Sequence, residues 1–409
     1  MLVSGCTGLT ISPLGRPCEA NEPCGPGATC DPVTSTCVAP GDAAHKDLPR
    51  PADGPGDGGD GPAIADGRID GGQPDSAKPD GVAADTQLND LKADAPKPDA
   101  PKPDALKPDA PMPDAPKPDA PKPVGPSCAG LAASCGAGGN KSCCAASLVT
   151  GGTFKRSYDA VSYTNASYPA TVSDFVLDDY EVTVGRFRKF VAAYPSSKPA
   201  ANSGKNPNNP ADPGWDSGWN SSLPVSQATL TLGLKCDSSQ TWTDAPGANE
   251  SLPLNCVSWF EAFAFCVWDN GRMPTEAEWN YAAAGGGGSD GQRVYPWSSP
   301  SISTTISAAY AVYSSGAPQK VGSKSPQGDG KWGQADLAGN LSEWMLDSFV
   351  DPYPNPCTDC ANLTLGGGRM IRGGAFSAPA SGQLVALRTD HKYPNTRSSG
   401  TGIRCVRSP

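Results

Sequence analysis

Val257-Ser258-Trp259-Phe260-Glu261-Ala262, continuing to Asp269, and Arg272-Met273-Pro274-Thr275-Glu276-Ala277-Glu278-Trp279 decide how the folded part of this chain is read. In the first stretch Trp259, Phe260, Phe263, Ala264 and Val267 recur at helical spacing and Asn270-Gly271 stops the pattern, which predicts a buried helix over 257–269. In the second, Thr275 three residues ahead of Glu278 is a capping box that opens a helix to about Ala284, closed by Gly285–Gly288. Upstream, Glu181–Ala193 carries Val184, Phe187, Phe190 and Val191 on one face, with Thr183 as N-cap and Pro195 beyond the end. The surrounding sequence is turn-rich, with short strand candidates at Thr171–Leu177 and Gly402–Val406. Short helices and strands among many turns imply an α+β domain with little regular secondary structure.

That domain occupies only part of the 409 residues. Gly 48 and Pro 44 make up over a fifth of the chain, and much of this lies between Pro40 and Pro126, where large apolar residues are almost absent. Such a stretch cannot bury enough surface to offset its ordering entropy. Residues 40–127 are therefore expected to be a disordered Gly/Asp/Pro linker, and the core-forming sequence runs from about residue 146 to 409. Within 92–123 a five-residue unit repeats, as in Ala100-Pro101-Lys102-Pro103-Asp104 and Ala115-Pro116-Lys117-Pro118-Asp119. The unit has no apolar face for a solenoid to stack, and its prolines favour extended polyproline II, a semi-rigid spacer.

Fifteen cysteines point to disulfides and an oxidising compartment. Cys18, Cys24, Cys30 and Cys37, spaced by six, six and seven, suggest a small two-disulfide knot over 7–39 whose pairing the sequence leaves open. Cys128, Cys135, Cys143 and Cys144 form a cysteine-rich collar over 128–145, in which the adjacent Cys143 and Cys144 are expected to reach different partners. Met1-Leu2-Val3-Ser4-Gly5-Cys6 resembles a bacterial lipobox (residues 1–6 its remnant), with Cys6 lipidated. Because the charged and apolar parts of a signal peptide do not precede it, the true start is expected upstream. The implied location is the cell envelope, as an exported surface lipoprotein touching membrane through lipid at Cys6 only. No run of about 18 apolar residues suggests a spanning helix. A net charge of −10 without a basic patch excludes a nucleic-acid partner.

Taken in order, Gly151-Gly152-Thr153-Phe154, Glu181-Val182-Thr183, the two stretches quoted first, Tyr295-Pro296-Trp297, Asp336-Leu337-Ala338-Gly339-Asn340-Leu341-Ser342-Glu343-Trp344, Arg372-Gly373-Gly374 and Gly402-Ile403-Arg404-Cys405 resemble the formylglycine-generating enzyme (sulfatase-modifying factor) family. The resemblance covers residues 146–409 and implies a C-type lectin-like α+β fold. It makes Trp259, Trp279, Trp297 and Trp344 core anchors.

The family oxidises a sulfatase cysteine to formylglycine with copper held by two cysteines. By resemblance those positions are Ala378 and Gln383, the active-site serine is Ala375, and a customary tryptophan is Ser342. Alanine and glutamine offer Cu(I) no thiolate, so copper is not expected. Enzymatic activity is left open, with Cys357-Thr358-Asp359-Cys360 either a redox pair or a small structural loop. The resemblance matches Cys266 and Cys405 to a structural disulfide, after which Cys236 and Cys256 remain and are paired. Iron-binding branches of the fold need three histidines, and this chain has only His45 and His391. The resemblance also implies a calcium site at Asp336, Gly339, Leu341 and Glu343. A second family site lacks its asparagine at Ala308–Val312. Arg372, Arg388, Asp390, His391 and Arg397 are the expected ligand contacts around the cleft. These readings favour a binding or scaffold module for a protein, peptide or envelope ligand. The alternatives are an oxidase with a rearranged site and a purely structural envelope protein.

Overall fold

Three hydroxyl side chains set where the longer helices begin in the computed structural model, which describes residues 125–409 except Leu365 and, upstream, the backbone of β1 (Thr29–Asp31) and β2 (Thr36–Val38). These two strands pair antiparallel, with Cys30 opposite Cys37 in register. Cys6, the spacer to residue 124 and the rest of the 7–39 knot lie outside the described residues. The described chain from residue 125 onward forms a unit of its own.

Elements follow in the order β3 (Ala146–Val149), β4 (Gly152–Lys155), β5 (Pro169–Val172), β6 (Phe175–Asp178), α1 (Val184–Ala193), α2 (Gln227–Gly233), α3 (Trp259–Trp268), α4 (Glu276–Ala284), β7 (Ser342–Ser348), β8 (Arg369–Arg372), β9 (His391–Lys392), β10 (Thr401–Gly402) and β11 (Val406–Arg407). Thr183 caps α1 by accepting the Arg186 N–H. Ser258 and Glu261 close a reciprocal box at α3, as Thr275 and Glu278 do at α4. The caps place the starts of α1 and α3 after Glu181 and Val257, because a capping residue must stay extended while its side chain takes a free N–H. Gly285, at φ +75°, ends α4 in the left-handed conformation that glycine adopts freely.

Three sheets result: β10-β7-β8-β9, β11-β6-β3 and the pair β4-β5. Strand β7 is buried along its whole length and divides the interior. Trp344 and Leu346 face a core built on Phe187, Phe190, Trp259, Phe263 and Phe265, while Met345 faces a second core with Phe175, Leu177 and Trp279. The period of two in a strand puts alternate residues into opposite cores.

Several expectations need correction. The single strand 171–177 is two, β5 and β6, broken where the Ser173 N–H turns to Asp359 Oδ1 and Asp174 accepts from Gly151. The strand 402–406 is likewise two: β10 runs parallel to β7 and β11 antiparallel to β6, with Arg404 and Cys405 turned inward between them. Trp259, Trp279 and Trp344 are buried, but Trp297 is only half-buried, stacked between Tyr295 and Tyr310. The linker's expected end at 127 also overreaches. Pro126–Cys128 is a 3-10 turn in which fully buried Ser127 donates to Asp269 and accepts from Arg186.

Five disulfides join the cysteines from residue 125 onward: Cys128–Cys144, Cys135–Cys143, Cys236–Cys256, Cys266–Cys405 and Cys357–Cys360. Neighbours Cys143 and Cys144 thus reach different partners. Among the described residues no helix is long and apolar enough to cross a membrane.

Candidate functional site

Beyond the C-terminal end of β8 the chain turns at Gly373-Gly374, at φ +101° and +71°. A Cβ on Gly374 would run into the Gly382 carbonyl and the Gln383 amide, so the close approach of this turn to the 375–384 loop requires glycine there. Between the turn, that loop and residues 389–401 lies a cleft of about 530 Å³. Its wall includes Ser342, Arg372, Ala375, Ala378, Asp390 and Lys392.

Three of the four positions matched to the family's catalytic groups therefore meet at one cleft, and the fourth, Gln383, is buried behind it. The Gln383 amide nitrogen donates to the Ala375 carbonyl at 3.1 Å, while its buried oxygen has no partner. None of these side chains is a soft donor, and every cysteine from residue 125 onward is in a disulfide. The residues present do not fit copper. Cys357 and Cys360 are bonded to each other, with Cys360 beside Arg156 in the wall of a separate small cavity.

The five expected ligand contacts do not converge. Arg372 and Asp390 reach the cleft. Arg388 is instead held by Glu276 at 2.8 Å and lies over the Tyr353 ring. Arg397 is bound by the α3 capping glutamate, Glu261, at 2.5 Å. His391 stacks on Phe349 with ring centroids 4.3 Å apart. Counter-ions and aromatic faces take up Arg388, Arg397 and His391, and the guanidinium of Arg372 lies 3.6 Å from Glu276, a use that sequence spacing does not reveal. Lys392, not singled out from the sequence, supplies a cation in the cleft. Its only sequence signal is a charge two residues from Asp390.

At the expected calcium position, Glu343 is fully buried and committed to Arg404, which reaches Oε1 at 2.7 Å, while Trp279 Nε1 donates to Oε2 at 2.7 Å. Asp336 accepts the Gly322 N–H, the Leu341 N–H goes to Glu181 and the Gly339 N–H to the Gly373 carbonyl. Among the described residues no group of three or more His, Cys, Asp or Glu is arranged to hold a metal ion. With Glu343 already neutralised by a guanidinium, the donor set does not fit calcium.

Three buried carboxylates carry a pH dependence, Asp336 and Glu181 beside that ion pair and Asp347 beside Glu276. Burial pushes Asp336 up to about 6, and burial together with Glu276 pushes Asp347 up to about 7. Glu181 rises for the same reason, with Asp336 and Glu343 adding to it. Such a group keeps its proton in the folded state at pH values where the unfolded chain, at about 4, has released it. Its contribution is complete below about pH 4 and is lost as pH rises through 6–7, on the order of 1 kcal/mol for Asp336 between pH 5 and 8. Asp178 acts oppositely: despite burial, Arg186 and Arg407 hold it below the ordinary range, so its contribution is lost only in stronger acid. The midpoint of thermal unfolding is expected to be higher at pH 5 than at pH 8. Asp336→Asn, which keeps the acceptor for Gly322 and suits the positive φ of +58°, should flatten the trend. A midpoint that climbs steadily from pH 5 to 8 would contradict it.

The framework of this fold and cleft defines a class, and comparison with known proteins gives it a family. Residues 135–409 match the Sulfatase-modifying factor enzyme 1-like domain, and the chain belongs to that family. It is similar to the formylglycine-generating enzyme of Streptomyces coelicolor, 31% identical over 40% of this chain and 57% of that protein. It is also similar to the inactive C-alpha-formylglycine-generating enzyme 2 of Bos taurus, 30% identical over 39% of this chain and 52% of that protein. The chain thus spans little more than half the length of these relatives. The structure of PvdO from Pseudomonas aeruginosa aligns over 64% of this chain and 94% of its own, at 20% identity and a TM-score of 0.45.

Proposed function

We infer that the family domain of this chain is a binding module without copper-dependent formylglycine-generating activity. In this reading it is displayed at the cell envelope by lipid on Cys6 and held off the surface by the Pro-rich spacer. The observation that carries the reading is the union of an open, polar cleft with the loss of every thiolate that could serve it. Ala375, Ala378 and Ser342 line the cleft, and all cysteines from residue 125 onward are bonded. Asp390 and Lys392 offer charges of both signs, and the partnerless Gln383 oxygen lies just behind the Gly374 turn. Such a lining suits a polar ligand, with a protein or peptide segment the class that best matches its mixed charge. An oxidase working through Cys357 and Cys360 is less well supported, because that pair is oxidised and Cys360 lines a different cavity.

The test incubates the purified chain, loaded with copper in air, with a sulfatase-motif cysteine peptide, beside an active family enzyme. Mass spectrometry is expected to show the peptide unchanged by this chain and converted by the control. Conversion of the cysteine to formylglycine by this chain would overturn the reading.

A further inference from the structure

Most of the buried arginines described in this domain have a carboxylate beside them or use their guanidinium donors fully. Arg186, Arg272, Arg372 and Arg404 each have a carboxylate partner. Arg156 has none, but donates to Tyr168, Cys360, Pro354 and Asn355. Arg369, at the start of β8, is different. It is 5% exposed, and its guanidinium makes one hydrogen bond, NH1 to the Leu346 carbonyl at 2.9 Å. It lies over the Trp259 ring at 4.0 Å, which fixes its plane and leaves the rest of its five-donor fork unused. Burial lowers its pKa to about 10, with Asp347 offsetting this only in part.

Arg369 lines a second cavity of about 320 Å³, separate from the cleft beyond β8. Two indoles help to build it. Trp219, half-buried, meets Trp215 edge-on at 5.4 Å and Trp259 at 5.2 Å. Leu346 and Leu363 supply aliphatic surface. Two carboxylates share the wall. Asp212 gives its oxygens to the Asn206 and Gly214 N–H groups, and Asp216 is exposed. An apolar aromatic chamber with one convergent, underused cation has the usual character of a small-molecule site, at the lower end of the range of about 300–1,000 Å³.

We propose that this cavity binds a small organic monocarboxylate with a flat apolar body, its carboxylate on the Arg369 fork and its ring against Trp219. Guanidinium and carboxylate match as two parallel hydrogen bonds, which Arg369 has free. Asp212 and Asp216 repel a dianion such as sulfate or phosphate about twice as strongly as a monoanion, so among anions a single negative charge held directly on the guanidinium is favoured. The inference does not depend on the function assigned to the larger cleft.

The test uses the full chain and calorimetric titration with indole-3-acetate, benzoate, indole-3-acetamide and inorganic sulfate. At least one of the two carboxylates binds saturably, and the amide binds at least about tenfold more weakly than indole-3-acetate, the loss expected when charge-assisted bonds become neutral ones. Sulfate does not compete. Arg369→Gln abolishes binding, and Trp219→Leu, on a partly exposed ring, weakens it while preserving the fold. Lys392→Gln in the other cleft leaves it unchanged. The proposal is overturned if neither carboxylate binds by millimolar concentration, if amide and acid bind alike, or if sulfate displaces the carboxylate. It is equally overturned if folded Trp219→Leu keeps full affinity or if Lys392→Gln is the variant that loses it.

Discussion

Arg404→Met is expected to lower the unfolding free energy of the domain by about 3–5 kcal/mol, because it leaves a buried carboxylate without its counter-ion. All the guanidinium nitrogens of Arg404 are used: Nε and NH2 on Glu343, NH1 on the Asp178 carbonyl and NH2 also on the Ala335 carbonyl. Neither partner of the pair is exposed to water. Methionine fills similar volume but abandons Glu343 next to Glu181 and Asp336, two buried carboxyls whose pKa values burial raises and Glu343 raises further. Urea denaturation at pH 7.5 measures the loss. Adding Glu343→Gln to Arg404→Met should recover part of the stability, since the second change removes the orphaned charge. A single-variant loss below about 1 kcal/mol would mean that water reaches the pair and that it is worth no more than a surface one.

The same pair shows what the sequence conveyed and what it withheld. The Asn340–Trp344 and Gly402–Cys405 segments were recognisable as motifs, and so was the fold they imply. The sequence does not say that Glu343 of one faces Arg404 of the other, so Glu343 was read as a cation ligand and not as half of an ion pair. Helices were legible because periodicity and caps are local: Thr183 and Thr275 act as caps. Strand β7 was not, because it is buried on both faces and its alternation serves two cores at once, with Trp344 and Met345 apolar in succession. Helix α2, with Leu230 its sole buried residue, has no apolar stripe to detect. At the candidate site, Ala375, Ala378 and Ser342 were located by their place in motifs. Arg397 and Arg388 were misjudged because a charged side chain looks the same in sequence whether it faces a ligand or a buried glutamate. Arg369, Trp215 and Trp219 had no motif at all, since they meet only when the 201–219 segment folds against β8.

Removing the Cys266–Cys405 bond by serine substitution of both residues is expected to cost about 5 kcal/mol, against about 2 kcal/mol for the Cys357–Cys360 pair. The contrast follows from chain entropy: the first bond spans a sequence separation of 139 and the second a separation of 3, so opening them frees very different numbers of unfolded conformations. Both sulfurs of the long-range bond are fully buried, one in α3 and the other just ahead of β11. Two backbone hydrogen bonds between Arg272 and Val406 run alongside and survive the substitution, so the C-terminal segment should loosen before it detaches. Guanidinium denaturation of the two double variants gives the two losses directly. Equal losses would show that the unfolded chain is already held compact and that loop length does not set the contribution. If the long-range bond does dominate, its effect reaches Arg404, which precedes Cys405. A loosened C-terminal segment misplaces the guanidinium that neutralises Glu343, so the disulfide variant should also become more acid-stable relative to its stability at neutral pH. That shift separates the loss of the cross-link from a simple change in the unfolded state.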